Sequence, residues 1–66
     1  MIMLTKLDSS PVLVNLETIK YIESTPDTLI RFVNGDTMIV RETLEDLEHR
    51  VIELKRRIFA EIPAPG

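Results

Sequence analysis

Cysteine is absent from these 66 residues, histidine occurs once and glycine only twice. No disulfide can staple the chain, and His49 alone cannot supply the three or four donors from which zinc sites are normally built. Gly35 and Gly66 are too few and too far apart for a glycine-rich phosphate loop. A chain this short is expected to bury only about 60% of its unfolded surface, which makes a marginal core. With disulfides and metal excluded, self-association or a partner is the expected reinforcement. The missing cysteine fits a reducing compartment.

Long apolar runs are also absent. Nothing approaches the roughly 20 apolar residues that span a bilayer, so no membrane-spanning segment is expected. The opening "MIMLTKL" has neither a basic start nor a small-residue cleavage site, and does not read as a signal peptide. A cytoplasmic location follows. Eight Lys and Arg against eleven Asp and Glu leave a net charge of −3, which disfavours nonspecific binding to nucleic acid or anionic lipid.

Nor is there a constellation for catalysis. Ser9, Ser10 and Ser24 are the serines, all in turn-like contexts without a base beside them. Glu45 and Asp46 are adjacent on a helix and do not face each other, so they read as solvated charge rather than as an acid and base pair. No enzyme activity, no catalytic or metal-binding residue and no cofactor is expected.

What is present has the pattern of an α+β domain: a small antiparallel sheet of two hairpins followed by one long C-terminal helix. Residues 1–7 and 12–16 are short β-rich runs around the turn residues Asp8, Ser9, Ser10 and Pro11. Asn15 caps a single helical turn over "NLETI", and the chain extends again through "KYIES". "TLIRFV" and "TMIVR" flank Asn34-Gly35, a dipeptide suited to a two-residue type I′ turn. That register sets Val33 opposite Asp36, Arg31 opposite Met38 and Ile30 opposite Ile39, and leaves both hairpin faces apolar near the middle.

From Thr43 to about residue 60 the period becomes helical. Thr43 is the N-cap with Asp46 three residues on, and Glu45, Asp46 and Glu48 crowd the positive end of the helix dipole. Leu44, Leu47, Val51, Leu54 and Ile58 make one apolar seam, and Ile52 and Phe59 make a second stripe. Asp46 with Arg50 and Glu53 with Arg57 are spaced to pair. The second stripe makes Ile52 and Phe59 the candidates for contact in a homo-oligomer. Arg50, Lys55, Arg56 and Arg57 balance the dipole, and Arg56 and Arg57 are the candidate residues for a partner. Residues 1–60 read as a single domain and 61–66 as a flexible tail, because Pro63 blocks helix continuation.

"MIMLTKL", "PDTLIRFVNG" and "VIELKRRIF" together resemble the FlbD/SwrD family of small flagellar proteins, and the resemblance runs from residue 1 to about 59. The run Asp8-Ser9-Ser10-Pro11 departs from the family's usual Asn-Gly turn, and "AEIPAPG" extends beyond its pattern. The resemblance implies a non-enzymatic accessory protein that supports swarming by raising the power of the flagellar motor's stator units. Its partners would be a motor or stator protein, with peripheral association at the motor's cytoplasmic face and no nucleic acid. A narrower stretch, residues 19 to 48, is similar to LytTR-type DNA-binding domains, which would imply a regulatory module. That reading calls for a basic face that this acidic chain lacks.

Overall fold

A computed structural model describes residues 1–61. β1 (Ile2–Thr5) and β2 (Pro11–Val14) pair antiparallel, with Ile2 opposite Val14 and Thr5 opposite Pro11. Pro11 can begin β2 because it lies at an outer edge, where its missing N–H interrupts no ladder. Asn15 then caps a 3₁₀ turn at Leu16–Thr18, its side-chain oxygen accepting the Glu17 N–H at 3.1 Å. β3 (Ile19–Glu23), β4 (Thr28–Phe32) and β5 (Thr37–Val40) follow as a three-stranded antiparallel sheet in sequence order. The expected α+β architecture is therefore present, divided into two small sheets rather than one.

The two hairpins share one turn design. In the first, the Lys6 N–H donates to the Ser10 carbonyl and the Ser9 N–H to the Lys6 carbonyl, both at 2.9 Å. In the second, the Phe32 N–H donates to the Asp36 carbonyl at 2.8 Å and the Gly35 N–H to the Phe32 carbonyl at 3.0 Å. Each is a type I turn closed by a bulge residue in the left-handed region, Ser9 at φ 72° and Gly35 at φ 94°. The residue before each plays the same part: Asp8 accepts the Ser10 N–H at 3.0 Å and Asn34 accepts the Asp36 N–H at 2.9 Å. The Ser10 hydroxyl and amide hold the Asp8 carboxyl below its ordinary pKa.

This geometry corrects the expected two-residue turn. A type I′ turn needs positive φ at both central residues, whereas here only Gly35, which has no Cβ, takes it. Ile30 consequently lies opposite Met38 and Arg31 opposite Thr37. Slipping the register by one residue exchanges faces. Thr28, Ile30, Phe32, Met38 and Val40 now share the face that packs inward, together with Ile22 opposite Ile30. The outer face carries Arg31 and Thr37 beside half-buried Leu29 and Ile39. The Arg31 guanidinium lies 5.6 Å over the Tyr21 ring, so this face is covered in part by its own cation.

The sheets meet where Lys6 bridges Val40 and the Arg41 N–H donates to the Thr5 carbonyl at 2.8 Å. Between them lies a core of Ile2, Leu4, Val14, Ile30, Val40 and, from the helix, Leu47. That helix, α1 (Leu44–Glu61), starts at the expected cap: Thr43 Oγ1 accepts the Asp46 N–H at 3.1 Å, and Asp46 accepts the Thr43 N–H at 3.3 Å. The expected seam is corrected at its ends. Leu47 is buried and Val51 and Leu54 are half-buried, but Leu44 and Ile58 are 39% and 50% exposed. Length explains the exposure of Ile58, since strands of four or five residues reach about 13–17 Å while an 18-residue helix reaches about 27 Å. The helix outruns the body, and the Cα radius of gyration is 13.5 Å, against about 11 Å for a compact chain of this length. The tail expected at 61–66 lies, apart from Glu61, outside the described residues.

A Cβ added at Gly35 would meet no atom within 4 Å, so Gly35→Ala carries only the cost of its left-handed backbone, about 1 kcal/mol. Ser9 sits at the matching position, so Ser9→Gly should gain roughly 0.5 kcal/mol after the added chain entropy is offset. Urea unfolding midpoints of the two variants should move in opposite directions from the wild type.

Candidate functional site

The helix is fastened to the sheets at one polar joint. Glu42, the residue before the N-cap, is only 8% exposed. Its Oε1 accepts the Thr5 N–H at 2.9 Å and its Oε2 the Thr5 hydroxyl at 2.8 Å. Arg50, two turns along α1, brings its guanidinium to 3.7 Å from Oε2 and also donates to the Met3 carbonyl. Burial pushes the Glu42 carboxyl up, but the two Thr5 hydrogen bonds and the Arg50 charge outweigh it, and its pKa lies below the ordinary value of 4.5. The expected pairing of Asp46 with Arg50 is thus replaced, because Asp46 serves the cap and Arg50 turns to Glu42 and β1. Sequence reasoning misses Glu42, which stands among other acids in "RETLEDLE" with nothing in the local pattern to separate it.

Beyond this joint Val51 and Leu54 stay half-buried, and the other described side chains of the helix face solvent. Arg56 and Arg57 are both exposed, but consecutive helix residues point about 100° apart. They form two cationic corners of the helix end rather than one patch. Arg57 approaches Glu53 at 3.7 Å with both side chains more than half exposed, a pair that adds little stability and is easily exchanged for another partner. Ile52 and Phe59, seven residues apart, do fall on one stripe, 44% and 71% exposed. Beside them runs a mainly apolar groove of about 390 Å³ lined by Ile22, Leu44, Leu47, Glu48, Val51 and Ile52.

His49 is exposed, and among the described residues no three His, Asp or Glu side chains are grouped to hold a metal ion. No helix in that range is long and apolar enough to cross a membrane. The arrangement is an exposed basic stretch, Lys55 to Arg57, one turn before the end of α1, with an exposed apolar stripe beside it.

A family model, FlbD, described as flagellar and swarming motility proteins, matches residues 1–59. The match covers both sheets and all of α1 except its last two residues. No curated protein and no solved structure gives a significant match.

The joint predicts a pH dependence of stability. With a folded-state pKa below 4.5, ionised Glu42 favours folding above that pH, and its contribution is lost as pH falls through the lower folded value. Glu42→Gln keeps the shape and the Thr5 hydroxyl can turn to accept its amide, but that amide N–H then faces the Arg50 guanidinium, and the change should cost about 2 kcal/mol at neutral pH. Urea midpoints measured from pH 7 to pH 3 should fall less steeply for Glu42→Gln than for the wild type.

Proposed function

Because the chain belongs to the FlbD family of flagellar and swarming motility proteins, we propose that it raises flagellar motor output by binding a motor or stator protein at the cytoplasmic side. The observation that carries this reading is the solvent-facing basic stretch of α1 from Lys55 to Arg57, one turn before the helix ends. Lys55, Arg56 and Arg57 are exposed on a helix that extends past its own sheets. A rigid element holding cations clear of the body can reach an acidic protein surface without rearranging the fold, and little ordering cost opposes binding. The Glu42–Arg50 joint supplies that rigidity at the helix base.

In this reading the protein performs no chemistry. It acts as a small binding module whose cations set the rate and direction of encounter with an acidic surface.

Deleting the gene should leave flagellar filaments assembled while torque on bead-loaded filaments falls, and raised stator levels should compensate. Reversing both charges, Arg56→Glu with Arg57→Glu, should weaken the contact by roughly tenfold or more and reproduce the torque loss with the fold intact. Filaments that fail to assemble, or motility that is unchanged, would remove motor output as the function.

A further inference from the structure

Leu44, Glu48 and Ile52 form one row along α1 at four-residue spacing, and Val51, Lys55 and Phe59 form the next. All are exposed except half-buried Val51. The six occupy an arc of about 100° around the helix, beside Leu47 and Leu54, which pack on the core. The first row reads apolar, acidic, apolar, and the second apolar, basic, apolar. A two-fold axis crossing the helix between Val51 and Ile52 interchanges them: Leu44 takes the place of Phe59, Glu48 of Lys55, and Ile52 of Val51. Glu48 and Lys55 are the charged residues of this arc, and they are opposite in sign.

We propose that this face of α1 docks on the same face of a second copy, with the helices antiparallel. Each row then meets its complement, which places Glu48 of either copy against Lys55 of the other and Phe59 of either copy over the Leu44 end of the groove beside Ile22. The groove, about 390 Å³ and mainly apolar, has room for an aromatic ring, and the Phe59 ring is otherwise 71% exposed. Rows at four-residue spacing interdigitate at a crossing near −50°, and the contact is isologous, so it closes at two subunits. Charge complementarity selects the occupant. A foreign apolar helix would be served by either charge at any height, whereas a second copy requires one of each sign at equal distances from the axis. Arg56 and Arg57 lie outside the arc and stay free, so the dimer and the motor contact can fail independently of each other.

Sedimentation of the whole chain over a range of micromolar concentrations should return about twice the 7.6 kDa monomer mass at the upper end. Glu48→Lys and Lys55→Glu, both at exposed positions, should each raise the dimer dissociation constant by roughly tenfold or more. Mixing the two variants, or combining both changes in one chain, should restore association. The absence of native cysteine allows a separate geometric readout with a short bis-maleimide. Ile52→Cys lies next to the axis and should cross-link with itself, while two Phe59→Cys sites lie about 22 Å apart along the helices and should not. A monomer at every concentration, single reversals that leave the mass unchanged, or equal cross-linking at both cysteines would overturn the proposal.

Discussion

The carboxylate of Glu42 is the constraint on which the arrangement of the parts depends. It follows β5, accepts both donors of Thr5 on β1 and faces Arg50 on α1, so one side chain ties two sheets and a helix. Its neighbours extend the effect along β1. The Arg41 N–H takes the Thr5 carbonyl and Arg50 takes the Met3 carbonyl, which satisfies backbone groups that an open strand edge would otherwise present for pairing. A buried charge is costly unless it is fully hydrogen-bonded, and here every partner is supplied by an element that the charge must hold. The apolar core, built from short aliphatic side chains on strands of four and five residues, supplies cohesion; the polar joint fixes where the helix starts and at what angle it leaves.

That departure has functional weight because the helix is longer than the surface beneath it. Leu47 fills the core and Leu54 still touches it, but by Ile58 there is no sheet left to cover. An amphipathic pattern that would give an ordinary buried seam on a larger body here becomes a surface, and the same mismatch holds the cations of the last turns away from the strands. Small size therefore limits the core and leaves apolar helix surface exposed at once.

Much of this could be read in the sequence, and the failures have identifiable causes. The Thr43 cap, the Asn15 cap, the helix and the strand content rest on local chemistry, which residue types at fixed spacing report directly. The hairpin register did not follow, because Asn34-Gly35 is compatible with two loop lengths, and the choice depends on which residue takes positive φ. Ser9 shows how the ambiguity could have been reduced: "LDSS" and "VNGD" occupy the same turn, and a serine is poorly suited to a turn that would need two left-handed residues. Glu42 was illegible for another reason. Its role comes from Thr5, 37 residues away, and no local pattern encodes that proximity. Exposure at Ile58 likewise required the strand lengths and the direction of the helix together. Among the candidate residues, Ile52 and Phe59 are exposed on one stripe of α1, and Arg56 and Arg57 are exposed about 100° apart around it.

A chain with a net charge of −3 is an unpromising ligand for an acidic surface until its charges are placed. Glu45, Asp46 and Glu48 stand in the first turns of α1 and Lys55, Arg56 and Arg57 towards its far end. Ten residues of helix separate Asp46 from Arg56 by about 15 Å, nearly twice the screening length of about 8 Å at physiological salt. An approaching surface is therefore met by the positive field of Lys55, Arg56 and Arg57, partly offset by Glu53 beside Arg57, and feels little of the acidic base. Polarity along the helix, with acids in its first turns as the dipole favours and bases further along, thus leaves an acidic chain with a locally basic stretch. The length of α1 is what keeps the two fields apart.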